Sequence, residues 1–426
     1  MRYDQYSWCF LVVLTAAFYA CNSDEPVDDM PAMRSVPLVS EITEVQPMTG
    51  IVYWTTNPQN NTDAISLEYS YLLYSDVVSQ KGQYDWSAFE TLLDEVASRQ
   101  HQAIVRFRYV YVGDRESAVP AYIRALPEYE ETIGISEGRE TCFPDWRNEE
   151  LKRFHLEFYR EFAERYDDDP RIAFLQTGFG LWAEYHIYDG PREIGRTFPS
   201  KDFQETFFHQ MDASFEELPW NISIDAANPE YTPLAAKPEL KQLAFGLFDD
   251  SFMHEDHDGY NTESWNFFGR DRYMSSPAGG EFSYYSDFDQ EHVLDREGMY
   301  GRNFEDEARE FHISYMIGND QPRYQSMARI KEAGMACGYR FEVTEFRTMG
   351  DSSVVCVTNT GTAPIYRDAY ISVNGLRSDK SLKSLLPGKS ECFELSSGGD
   401  NPQLAIECDH LVEGQKIQFA ANIKEE

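Results

Sequence analysis

Apolar runs of strand length alternate with helix-period patterns along most of this chain. The runs fall at residues 51–54, 65–71, 103–111, 172–179, 221–225, 243–248, 280–284 and 311–316. Between them, Trp86, Phe89, Leu92, Leu93 and Val96 recur at spacings of three and four, as do Leu151, Phe154, Phe158 and Phe162, which predicts amphipathic helices. The helix over residues 148–166 has Asn148 as its N-cap and stops at Asp167-Asp-Asp-Pro170, because proline cannot continue it. Phe203, Phe207, Met211 and Phe215 mark another helix, and residues 324–333 a last one before Gly334. Eight strands separated by helices or long loops predict a parallel (β/α)8 barrel over residues 45–336, closed by right-handed crossovers. Residues 252–276 are polar and aromatic without a clean period, and read as loops over the barrel mouth.

From about Gly338 the period changes. Residues 339–346, 353–358 and 369–373 alternate apolar and polar, punctuated by Asn359-Thr-Gly, Asn374-Gly, Pro387-Gly and Gly398-Gly. Segment 337–426 therefore reads as a small antiparallel β-sandwich.

The N-terminus has a different logic. Arg2 precedes the apolar stretch 8–20, which is too short to span a bilayer as a helix, and the stretch ends at Cys21. Residues 1–21 resemble a bacterial lipoprotein signal in which Cys21 becomes the lipidated N-terminus. The acidic residues just after it resemble the surface-export signal of Bacteroidetes-type lipoproteins, and residues 22–44 read as a flexible tether. The chain is thus expected at the outer membrane, held only by a lipid anchor and facing the cell surface, with the periplasm as the alternative. Cys142, Cys337, Cys356, Cys392 and Cys408 show no metal-ligand spacing. Four of them cluster near the C-terminus, where one or two disulfides or buried thiols are expected.

The formal charge of -36 argues against a nucleic-acid partner, which needs clustered Lys and Arg, and against densely anionic substrates. Aromatic residues make up 15%, with 27 Tyr and 28 Phe, enough for both a large core and sugar-stacking surfaces.

Barrel enzymes carry their chemistry at the C-terminal ends of the strands. The fourth run ends at Trp182, Glu184 and His186, and the seventh presents Glu281 after Gly279-Gly280. Strands four and seven face each other across a barrel mouth, so the two carboxylates can flank one glycosidic bond, as acid/base and nucleophile. Trp182 and Tyr185 offer sugar-stacking faces and desolvate the acid. Arg106 and Arg108 alternate on strand three and point to one side, to line the mouth, pair with the catalytic carboxylates or hold a core ion pair. Asp225 and the pair Asp249-Asp250 end strands five and six as alternative acids or substrate contacts. His186 and Tyr315 are placed to bond substrate hydroxyls, and Tyr69 and Tyr71 to form the wall. The run His254-Glu-Asp-His257-Asp258 lacks a metal-binding register, and no nucleotide loop or nucleophilic-serine elbow is present. No metal or other cofactor is expected.

Glu184 on strand four and Glu281 on strand seven resemble the pattern of the clan of retaining (β/α)8-barrel glycoside hydrolases that includes β-galactosidases and cellulases. More closely, Asp169-Pro-Arg-Ile-Ala, Gly-Leu-Trp-Ala-Glu-Tyr-His186, Gly279-Gly-Glu281, His312-Ile-Ser-Tyr315 and the terminal β module resemble an uncharacterised group of Bacteroidetes-type β-galactosidase-like lipoproteins, over most of residues 45–426. The resemblance implies Glu184 as acid/base and Glu281 as nucleophile. It departs at Ala183, where the clan places an Asn that contacts the sugar 2-hydroxyl. The expected function is a surface-anchored glycoside hydrolase acting on a poly- or oligosaccharide. The alternative is a non-catalytic glycan-binding lipoprotein on the same barrel.

Overall fold

The computed structural model describes residues 33–424; Cys21 and the signal segment lie outside the described residues. All eight expected strands form, as β1 (Gly50–Trp54), β2 (Leu67–Leu73), β3 (Gln102–Arg108), β4 (Ile172–Thr177), β5 (Trp220–Ser223), β6 (Phe245–Phe252), β7 (Ala278–Phe282) and β8 (Ile313–Ile317). Neighbours pair in parallel around the ring, and β8 pairs with β1 to close it. This is a (β/α)8 barrel.

The helices form where the period of the sequence demands. Helix Glu149–Tyr166 is capped by Asn148, whose side chain accepts from the Leu151 backbone N–H at 3.0 Å. Its buried face carries Leu151, Phe154, Phe158 and Phe162, which join the large core outside the barrel wall. Residues 252–276, expected as loops, contain helix Asp258–Phe268. Its interior mixes Asn, Gly, Ser and aromatics, which hides the period, while Ser264, Trp265 and Phe268 are nonetheless buried. The sequence also gave no warning of the hairpin Thr132–Ser136/Arg139–Phe143, whose tip residue Glu137 reaches the mouth.

Inside the barrel the side chains are packed, with Val52, Leu67, Tyr69, Ile104, Phe174 and Tyr315 in one buried cluster. The C-terminal segment forms a mixed sheet around Phe341–Met349 and Ser352–Asn359, and a three-stranded sheet around Ala369–Val373. One pairing is parallel, Phe341–Met349 with Phe419–Ile423. This module packs on the N-terminal ends of the barrel strands: Gly338 N–H donates to Ile313 O, Arg367 to Ile172 O and Gln102 to His410 O. It covers the end opposite the mouth.

The expected tether is shorter than residues 22–44. Arg34–Ser35 and Leu38–Ser40 are strands, pairing with Phe341–Met349 and Phe419–Ile423, because short β-compatible runs beside open sheet edges gain backbone hydrogen bonds there. One disulfide joins Cys356 and Cys392, opposite each other on paired strands. Cys142, Cys337 and Cys408 are buried thiols. Among the described residues, no helix is long and apolar enough to cross a membrane.

Candidate active site

The strands' C-terminal ends open into a cavity of about 1140 Å³. Glu184 and Glu281 both line it, together with Trp182, His186, Asp225 and Asp250.

Glu184 is delivered by a strained turn. Leu181–Glu184 closes with Glu184 N–H donating to Leu181 O at 2.9 Å, and its two central residues, Trp182 and Ala183, have φ of 54° and 57°. Those angles define a type I′ turn, which normally carries Asn or Gly. Holding two ordinary residues there costs about 1–2 kcal/mol each. The turn folds back against β4, and the glycines before it permit the approach: a Cβ on Gly178 would lie 2.0 Å from Ala183 O, and one on Gly180 1.9 Å from His186 O. The motif Gly178-Phe-Gly180 therefore serves close backbone packing. Such strain at a cavity wall is a mark of a functional site.

Arg106 is the electrostatic centre. It is completely buried beneath the cavity floor, not on its surface. Its Nη1 donates to Asp250 Oδ2 at 2.8 Å and to Trp182 O at 3.2 Å, and its Nε to Gln176 Oε1 at 2.7 Å. Glu184 Oε1 lies 4.0 Å away, and the guanidinium sits 4.1 Å over the Phe248 ring. Burial opposes its charge, but Asp250, Tyr69, Tyr71 and Glu184 more than compensate.

The carboxyl groups answer to this arrangement. Burial, and then the Asp250 charge, raise Glu184 to about 7, against the pull of His186. Burial and Asp250 likewise push Glu281 well above the usual carboxylate range, while Arg106 draws it down. Glu281 Oε1 and Asp250 Oδ1 make no well-aligned hydrogen bond within the protein, and the Trp54 indole is close enough to Glu281 to draw it down slightly. Glu281, Asp250 and Trp54 all line the cavity, where a polar ligand can partner them. His186 Nε2 lies 3.2 Å from Glu184 Oε2 and 3.8 Å from Asp225 Oδ2. Burial works against its charge, and Asp225 and Glu184 outweigh it, raising the imidazole to about 9.

Several expected positions differ. Tyr185, expected as a stacking face, is fully buried away from the cavity, packed on Phe179 and Phe208. Tyr315 bonds no ligand from the cavity: it is fully buried below the floor, stacked 4.9 Å from Phe174, and its hydroxyl accepts from Gln176 and Asn221. It lies at mid-strand, one layer too deep. Arg108, although on the same side of β3 as Arg106, lies beyond the carboxylates and pairs with Asp114 at 2.8 Å over the Tyr111 ring. Asp249 reaches the cavity edge, but its oxygens are taken by Asn261, Trp265 and the Ser251 N–H, with burial raising it to about 7. Asp250, next in sequence, turns the other way and faces Arg106. Tyr71 lines the cavity, whereas Tyr69 lies beneath it.

The sequence missed the outer wall. Tyr188, Tyr260, Tyr284 and Tyr285 line the cavity and remain about half exposed, giving ring faces suited to sugar stacking. Asn319, whose Oδ1 accepts from the Trp54 backbone N–H, lies two residues past β8, within reach of the same strand-end rule that marks Glu184.

No protein-family model matches the chain, and no curated protein matches it. Solved structures similar to it include a glycoside hydrolase family 30 subfamily 8 xylanase from Clostridium acetobutylicum, at 10% identity and a TM-score of 0.38 over 84% of this chain and 94% of that one. Xylanase 10B from Thermotoga maritima has 10% identity and a TM-score of 0.40 over 65% and 85%. A cold-adapted β-galactosidase from Rahnella sp. R3 has 10% identity and a TM-score of 0.38 over 67% and 51%. Likenesses at this level carry no argument for chemistry, and the barrel rests on its own strand pairing.

Proposed function

We propose that the protein is a glycoside hydrolase in which Glu184 acts as acid/base and Glu281 as nucleophile. The observation that carries this is the meeting of both carboxyl groups in one aromatic-walled cavity, with a Glu281 oxygen that makes no well-aligned hydrogen bond within the protein. Glu184 would protonate the leaving oxygen while Glu281 attacks the anomeric carbon. Water, deprotonated by Glu184, would then release the sugar with its configuration retained. The pair must enter with one proton, on Glu184, and Arg106 is the cation that favours charge on Glu281. The substrate class is a neutral poly- or oligosaccharide, since carboxylates far outnumber Lys and Arg in the cavity lining and repel anionic sugars.

One observation favours a non-catalytic glycan binder instead. Among the described residues no cation lies within ion-pair distance of Glu281, so burial disfavours its charge, and a nucleophilic carboxylate needs that charge. Hydrolysis of a neutral glycan panel, followed by reducing-end detection, separates the two: turnover lost in Glu184→Gln and Glu281→Gln supports the hydrolase, and binding without turnover supports the binder. We further propose that Cys21 is lipidated at the outer membrane, supported by its place at the end of the apolar stretch. Cys21→Ala should move the protein out of the membrane fraction, and retention there would contradict the anchor.

A further inference from the structure

Glu184, His186 and Asp225 bring three ligand atoms to within 4.8 Å of one another. His186 Nε2 stands between the carboxylates, 3.2 Å from Glu184 Oε2 and 3.8 Å from Asp225 Oδ2. A divalent ion with bonds of about 2.0–2.2 Å to nitrogen and oxygen sets neighbouring ligand atoms about 2.9–3.4 Å apart. The His–Glu distance already matches, and the His–Asp distance needs a shift of about half an ångström.

The fit extends beyond spacing. A proton on Nε2 reaches Glu184, but Asp225 at 3.8 Å is beyond hydrogen-bond range, so a single N–H bonds one carboxylate and only attracts the other. A doubly charged ion engages all three at once. Asp225 is oriented for it: Ser223 Oγ donates to Oδ2 at 2.6 Å and Tyr260 OH to Oδ1 at 3.2 Å, the kind of outer contacts that aim a ligating carboxylate. The imidazole packs edge-on against both Trp182 and Tyr188, which stack on each other. Glu184 closes the type I′ turn after β4, His186 follows two residues later, and Asp225 lies in the helical turn Ile224–Ala227 just after β5. Glu137, Asp250 and Asp320 also line the cavity, and their field attracts cations.

We propose that Glu184, His186 and Asp225 form a site for one divalent transition-metal ion at the cavity rim, and that the bound ion takes up the carboxylate which hydrolysis uses as its acid. One imidazole with two carboxylates suits Mn²⁺ or Zn²⁺. The ion's coordination positions away from the three side chains face the cavity. The second half of the proposal rests on the hydrolase reading, whereas the first does not.

The test is binding of the metal alone to full-length protein stripped with chelator. Mn²⁺ is followed by electron paramagnetic resonance and Zn²⁺ by calorimetry. One ion per chain is expected, with affinity reduced at least tenfold in Asp225→Asn and in His186→Gln and unchanged in Asp351→Asn, an exposed turn residue of the C-terminal module. Thermal unfolding of each variant confirms folding, and if His186→Gln does not fold, Asp225→Asn decides alone. No stoichiometric binding, or equal binding by wild type and Asp225→Asn, overturns the site. A stoichiometric ion with unchanged turnover on adding chelator overturns the second half only. A stoichiometric ion on a protein that hydrolyses nothing even after the metal is stripped leaves the site standing and sinks the hydrolase reading.

Discussion

Arg106 Nη1 and Asp250 Oδ2 meet at 2.8 Å under the cavity floor, and this buried pair fixes both the charge of the site and the turn above it, through the Trp182 carbonyl. Removing the cation strands a buried carboxylate, which typically costs about 3–5 kcal/mol. Arg106→Met should therefore lower the unfolding free energy by that amount in urea titrations. Adding Asp250→Asn to the same chain should restore part of the loss. A double variant no more stable than the single would show that the pair is not energetically linked.

The turn predicts a gain. Ala183→Gly removes a Cβ from a residue at φ 57° and should stabilise the protein by about 1 kcal/mol, less any entropy cost of the glycine. Gly178→Ala should do the opposite and depress turnover, since its Cβ collides with Ala183 O and displaces Glu184. Thermal unfolding of both variants checks the signs. Destabilisation by Ala183→Gly would mean that the turn is not strained as described.

How far the site was legible follows from which signals are local. A strand-end carboxylate is visible in sequence because apolar runs end abruptly, and so Glu184, Glu281, Asp225 and the Asp249-Asp250 pair were all marked. Parity within a strand tells sides, but not depth: Arg106 and Arg108 share a side of β3, yet only Arg106 meets the carboxylates. Tyr315 lies on an inward position two residues below the end of β8, too deep to meet a ligand. Which of Asp249 and Asp250 faces inward depends on the bulge between β6 and β7, which no pattern of residues announced. The tyrosine wall comes from loops, whose positions depend on tertiary packing rather than on period.

The buried histidine gives stability a pH signature. Burial lowers His155 from 6.5 to about 3, so the folded state refuses a proton that the unfolded chain accepts. Its contribution is intact above pH 6.5 and is lost as pH falls toward 3, by up to about 1.4 kcal/mol per pH unit. Between pH 7.5 and 5, wild type should lose about 2 kcal/mol more than His155→Phe. Parallel pH profiles for the two would contradict a neutral His155.

The Cys356–Cys392 bridge closes a sequence separation of 36 residues. Constraint of the unfolded chain predicts that Cys356→Ala with Cys392→Ala costs roughly 3–4 kcal/mol. Because the module covers the N-terminal end of the barrel, calorimetry should show the loss in the main unfolding transition. A separate early transition with the barrel unchanged would mean that the two parts unfold independently.

The central claim is that Glu184 and Glu281 act as an acid/base and nucleophile pair. The most direct measurement uses an aryl glycoside with a good leaving group, whose departure needs little acid help, and follows the anomeric configuration of products by NMR with added azide. Glu184→Gln should still form the glycosyl-enzyme and yield a glycosyl azide of retained configuration, while Glu281→Gln should yield no retained adduct and lose turnover by more than the 10²–10⁴-fold typical of an acid. Retained adduct from Glu281→Gln, or full turnover in either variant, would contradict the assignment.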